Sequence, residues 1–237
     1  MPKTNQQHHE EKHFTSSELV TDIVIGMSDG LTVPFALAAG LSGAAGITAG
    51  IVVTAGLAEI VAGSIAMGLG GYLAGKTEID HYDAELAREQ LEVEKVPEME
   101  KQEVRDVFAG MGLSKDTQNM IADEMAKDKD NWVDFMMKYE LGLDKPDPKR
   151  ARNSALNIGV SYIVGGLIPL SPYFFVKKPV DGLLWSSIIT VICLLVFGFF
   201  KAKFTGQNPV AGAIRVALIG SVAAGAAFFI ARLINGG

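Results

Sequence analysis

Cysteine is nearly missing from this chain: Cys193 is the single one in 237 residues. A lone thiol cannot close a disulfide within the chain, and no Cys-x-x-Cys redox or metal site exists. Cys193 falls in an apolar run, where a thiol is a small packing or lipid-facing group. A basic excess is lacking too. Acids outnumber Lys and Arg by 27 to 21, for a net charge of −6. Phosphate binding needs a basic face, so nucleic acid is not an expected partner. Charge is sparse outside two stretches, the first eighteen residues and the segment from Lys76 to Arg152. That segment holds 20 acids and 13 bases and so carries the whole acidic excess.

What remains is apolar. About half of all residues are hydrophobic, and five runs are long enough to cross a hydrocarbon core of roughly 30 Å at about 1.5 Å per residue. They lie near 19–41, 47–72, 155–176, 182–200 and 210–230. The expected fold is an all-α integral membrane protein with five transmembrane helices. A helical cytosolic insertion separates spans two and three. The chain divides into a polar tail (1–18), spans one and two (19–75), the insertion (76–152) and spans three to five (153–237). The first apolar run begins too late for an ordinary signal peptide, so the tail reads as disordered. Its His8, His9 and His13 are either solvated or a metal-binding cluster.

Short links, "SGAAG", "KKPVD" and "KAKFTGQNP", make neighbouring spans antiparallel. Lys76, Lys145, Lys149, Arg150, Arg152, Lys201 and Lys203 then share one side, which the positive-inside rule makes cytosolic. Lys177, Lys178 and Arg232 dissent. Spans one and two are rich in Gly and Ala, which let helix backbones approach closely in lipid. Two readings stay open: packing within the chain, or a tight pairing that also forms a dimer interface.

The insertion reads as short helices without strands. "TEIDHYDAELAREQLEVEK" has no breaker and continues span two. Pro97 ends that helix and suits the start of the next. "SKDTQNMIADEMAK" opens on a serine cap signal, Ser114. "NWVDFMMKYELGL" is expected to start at Asn131 and stop at Gly142.

Ionisable groups inside a membrane are expensive and mark function by default. Asp22 and Asp29 are seven residues apart, on one face of span one. Asp29 is roughly 15 Å deep, and Glu59, on the antiparallel span two, is roughly 18 Å from the far side. The two carboxylates therefore meet near the midplane. Met67 lies two turns from Glu59 toward the side of Asp22. The pattern suggests a cation path, entered at Asp22 and Met67, with a site at Asp29 and Glu59. Protonated acids bonded to Ser28, Thr32 or backbone are the plainer alternative. Pro34 frees a backbone carbonyl near Asp29.

In the insertion, Glu89 and Glu92 are three apart, as are Glu100 and Glu103, and Met136 and Glu140 are four apart. Each pair shares a helix face. Carboxylate oxygens suit hard or borderline ions, and a thioether biases toward transition metals. A solvated acidic face is the competing reading. One Glu-x-x-His, Glu78 to His81, resembles a di-iron motif, which needs two copies on separate helices.

Four stretches together resemble the vacuolar iron transporter family, of the Ccc1 and plant type. They are "DIVIGMSDGLTVPFALAAGLSGA", "TAGLAEIVAGSIAMGLGGYLAGKTEIDHY", "DFMMKYELGLDKPDPKRA" and "FTGQNP". The resemblance runs from about His13 to the C-terminus. It implies a five-span homodimer with an ion path at the subunit interface. It implies export of Fe2+ from the cytosol in exchange for protons, with Mn2+, Zn2+ and Co2+ as further ions and no cofactor. Membrane ligands carried over are Asp29, Glu59 and Met67. Cytosolic ligands carried over are Glu89, Glu92, Glu100, Glu103, Met136 and Glu140. The expected location is a vacuolar-type or cell membrane, with the insertion facing the cytosol. A ferroxidase-like enzyme and a metal sensor, each using the acidic insertion, are the rival classes.

Overall fold

The computed structural model describes residues 18–234. Residues 1–17 of the polar tail, with its three histidines, lie outside the described residues, and its last residue, Glu18, opens the first helix. Among the described residues, all regular structure is helical and no strand occurs. Eight α-helices follow in order: α1 Glu18–Gly43, α2 Ala49–Lys95, α3 Pro97–Gly110, α4 Lys115–Met125, α5 Lys129–Phe135, α6 Arg150–Leu170, α7 Pro179–Phe204 and α8 Pro209–Ile234. A π turn, Met136–Glu140, extends α5, and a 3₁₀ turn, Ser171–Phe174, extends α6. Among the described residues, five helices are long and apolar enough to cross a membrane: α1, α2, α6 with its 3₁₀ turn, α7 and α8.

Two compact units result. One comprises residues up to Gly71 together with those from Asn153 onward, and the other is Tyr72–Arg152. The 47-residue α2 is unbroken, and its stretch 77–95 continues the second span as that breaker-free run predicts. It stops before Pro97, which opens α3 at a position where a missing N–H costs nothing. Two helix starts differ from the sequence reading. The Asp128 carboxylate accepts from the Asn131 N–H at 3.2 Å, so α5 begins at Lys129 rather than Asn131. Asp147 forms a turn by accepting from the Lys149 N–H at 2.8 Å, and α6 begins at Arg150, ahead of its apolar run.

The first unit is assembled through glycines. On α1, a Cβ at Gly26 would sit 2.4 Å from the Ile158 carbonyl, and one at Gly30 would sit 2.4 Å from the Tyr162 carbonyl. On α2, Gly68 faces the Ala155 carbonyl and Gly71 faces Ile158 and Ser154. These small residues therefore pack α1 and α2 onto α6. Gly43, at the end of α1, is covered by Phe228 of α8. In lipid such close backbone contact replaces hydrophobic driving force as the source of association. Ser42 and Tyr173 share a hydrogen bond of 2.9 Å that ties the end of α1 to the turn after α6. Large apolar side chains cover the outside of this unit, among them Val61, Ile65 and Leu69 on α2 and Leu218, Val222 and Phe229 on α8. Such a surface suits lipid rather than water.

The second unit has its own core, with Val93, Val104, Trp132, Met136 and Met137 at its centre. Ser114 caps α4 by accepting from the Thr117 N–H, the role its position in the sequence predicts.

Candidate ion site

In the first unit, three helices bring polar groups together. Glu59 sits on α2 inside an apolar stretch. Its Oε1 accepts a hydrogen bond from the Tyr162 hydroxyl of α6. Its Oε2 is buried and has no hydrogen-bond partner. Asp29, half-buried on α1, lies within electrostatic reach of the same Tyr162 hydroxyl. One phenol thus hydrogen-bonds Glu59 and feels the charge of Asp29. Pro34 has no N–H to give the Gly30 carbonyl one turn back, beside Asp29. Met67 is half-buried, eight residues and roughly 12 Å along α2 from Glu59.

Asp22 has a different setting. It is 1% exposed. Its Oδ1 accepts from Ser154 Oγ at 3.0 Å, and its Oδ2 accepts from Asn157 Nδ2 at 3.4 Å. Both donors belong to α6. In this conformation Asp22 is a tie between α1 and α6, closed to the surface.

In the second unit, Glu89 and Glu100 are each 2% exposed. Each keeps one carboxylate oxygen buried without a hydrogen-bond partner. Leaving such a group unsatisfied costs about 1–3 kcal/mol, more when it is charged. Burial, then Glu92, raise the Glu89 carboxyl above its ordinary range, and Arg88 opposes the shift. Burial, reinforced by Glu103 and Glu89, pushes Glu100 up to about 7. Glu140 is also pushed up to about 7, by loss of solvent around its carboxyl and by Glu103 and Glu89. Glu140 as a whole residue is exposed, so water screens it more than Glu100.

Arg88 is the local counter-charge. Its Nε lies 3.5 Å from Glu92 Oε2, and its Nη2 lies 2.9 Å from Glu85 and 4.0 Å from Glu89. Met136 is fully buried and belongs to the unit's core. The π turn that starts at Met136 is a rare form, frequent at functional sites. The five glutamates thus press on one another electrostatically. Among the described residues, no three His, Cys, Asp or Glu side chains converge as a metal cage. His81 leans toward Glu85 at 4.0 Å and stays exposed, so the Glu78 to His81 motif joins no cluster.

Sequence reasoning missed Tyr162, Ser154, Asn157 and Arg88. A signal was present: Ser154, Asn157 and Ser161 recur at three- and four-residue spacing in an otherwise apolar span. That spacing draws a polar stripe down one face of α6.

The sequence profile of the VIT family matches residues 20–232. The chain belongs to that family. It is 51% identical over 229 residues to vacuolar iron transporter 1 of Tulipa gesneriana, covering 97% of this chain and 92% of that protein. Its identity to vacuolar iron transporter 1 of Arabidopsis thaliana is 50% over 233 residues, covering 98% and 93%. Protein CCC1 of Saccharomyces cerevisiae is 39% identical over 225 residues, covering 92% of this chain and 69% of that protein. This VIT-family chain is accordingly a multi-pass membrane protein. Its family and named relatives are transporters and not enzymes.

Proposed function

We propose that this chain moves divalent iron across a membrane, out of the cytosol and in exchange for protons. Mn2+ is a second cargo. The Glu59 carboxylate carries the proposal. One of its oxygens takes the Tyr162 hydroxyl and the other is buried without a partner, in a chain half identical to named vacuolar iron transporters. A buried carboxylate oxygen is costly unless something positive meets it. A metal ion and a proton both qualify, and they compete for the same lone pair. Exchange of one for the other at Asp29 and Glu59 is the coupling step. Met67 adds a thioether, which biases the path toward transition metals.

The acidic set of the second unit concentrates the ion before transport, through Glu89, Glu92, Glu100, Glu103, Met136 and Glu140. The Lys and Arg distribution supports a cytosolic position for this unit. Five spans contain no internal two-fold repeat, so a symmetric path is most simply built between two copies of the chain. A vacuolar-type or cell membrane is the proposed location.

The test is Fe2+ flux into liposomes with an imposed pH gradient. Asp29→Asn keeps shape and hydrogen bonding but removes the titratable charge. Flux driven by the gradient should fall to background at matched protein levels. Undiminished proton-driven flux in that variant would overturn the coupling role.

A further inference from the structure

Tyr162 is 2% exposed, and the fold is shaped around it on two sides. On α2, a Cβ at Gly63 would sit 2.4 Å from its hydroxyl oxygen and 2.5 Å from its ring. Only a glycine there lets the phenol lie across α2, one turn past Glu59. On α1, Gly30 meets the Tyr162 backbone carbonyl at 2.4 Å from its would-be Cβ, one residue after Asp29. Gly63 thus makes room for the phenol beside Glu59, and Gly30 makes room for the Tyr162 backbone beside Asp29. The Tyr162 hydroxyl is spent on one atom, Glu59 Oε1. The other oxygen, Oε2, is the one left buried and unmatched.

We propose that Tyr162 is a positioning and specificity-determining residue of the ion site. By holding Oε1, it turns Glu59 into a one-oxygen ligand and presents Oε2 to the cation beside Asp29. This rests on the ion-transport reading of Asp29 and Glu59 given above. Ligand denticity is what separates ions here. Ca2+ takes six to eight oxygens and readily accepts a carboxylate through both, whereas a smaller ion is satisfied with fewer and closer donors. A carboxylate with one oxygen occupied discriminates against Ca2+. Releasing Oε1 removes that discrimination and loosens the alignment of Oε2.

The test uses the full-length chain in liposomes, with Fe2+ as cargo and Ca2+ as competitor. Tyr162→Phe keeps the ring against Gly63 and removes the hydroxyl. The Fe2+ concentration for half-maximal flux should rise about tenfold, equivalent to roughly 1.4 kcal/mol. Half-inhibition by Ca2+ should need about tenfold less Ca2+. Gly63→Ala, which displaces the phenol without deleting it, should shift both quantities in the same directions. A lower maximal rate with unchanged half-saturation and unchanged Ca2+ inhibition would mean a merely structural tyrosine and would overturn the proposal. If Tyr162→Phe fails to fold, Gly63→Ala decides by the same two readings. The underlying transport reading fails separately, if the unmodified chain carries no Fe2+ or if Asp29→Asn leaves flux intact.

Discussion

Ser154 on α6 donates a hydrogen bond to Asp22 Oδ1 on α1 across 3.0 Å, joining residues 132 positions apart. Asn157, one turn further along α6, serves the other oxygen of the same carboxylate. A buried hydrogen bond of this kind contributes about 0.5–1.5 kcal/mol. Asp22→Ala, which removes two such bonds, should therefore lower the unfolding midpoint of the purified protein, at a cost of about 1–3 kcal/mol. Ser154→Ala should do the same to a lesser degree. Flux per folded molecule should stay near that of the unmodified chain in both. An entrance ligand would give the opposite pattern, with intact stability and a raised half-saturation for Fe2+.

The glycines predict a sharp contrast on helices of similar composition. A Cβ at Gly30 meets the Tyr162 carbonyl, while one at Gly70 meets nothing within 4 Å. Gly30→Ala should force α1 and α6 apart and reduce folded protein strongly. Gly70→Ala should be neutral or stabilising by up to about 1 kcal/mol, from helix propensity alone. Thermal unfolding in detergent compares the two directly, and equal losses would refute the close-packing account.

Metal loading of the second unit should be measurable on the intact protein. Equilibrium binding of Mn2+ should weaken at least about tenfold in the Glu100→Gln/Glu103→Gln double variant. Because Glu100 and Glu140 sit near 7, protons should compete in the same range, so affinity should drop as pH falls from about 7.5 to 6. Affinity that ignores both the double substitution and pH would remove these glutamates from the ligand set.

The same carboxyls set a stability window. Glu100 rises from an ordinary 4.5 to about 7 in the folded state. Between those values the folded chain holds more protons than the unfolded one, so stability falls as pH rises. Below about 4.5 the advantage of the protonated form is complete, and above about 7 it is gone. Amide hydrogen exchange across 97–110, corrected for intrinsic rates and without added metal, should show protection declining from pH 5 to 7.5. Glu100→Gln should flatten that decline, and a slope of opposite sign would contradict the burial of this carboxyl.

Dimer geometry has a direct probe in Ala62, exposed on α2. A cysteine there should crosslink two copies in membranes if this face pairs. Gly43 is a poor position for the same purpose, since its Cβ would meet the Phe228 ring at 2.9 Å. A monomer in both bilayers and detergent, with full transport, would rule the dimer out.

The five spans, the continuous α2, the break at Pro97 and the serine cap of α4 were all legible in the sequence. Each depends on local chemistry: the length of an apolar run, a ring without an N–H, a hydroxyl next to free amides. The places of Asp29 on α1 and Glu59 on α2 were legible for the same reason, because each lies inside a long apolar run. Their common neighbour was not. Tyr162 reaches Glu59 from 103 residues away, and it fits there only because Gly63 on α2 leaves space for its ring and Gly30 on α1 for its backbone. Periodicity says which face a residue occupies and is silent on which helix meets that face. That is why the sequence assigns Asp22 its face on α1 but not its two donors, Ser154 and Asn157, which only the packing of α6 supplies.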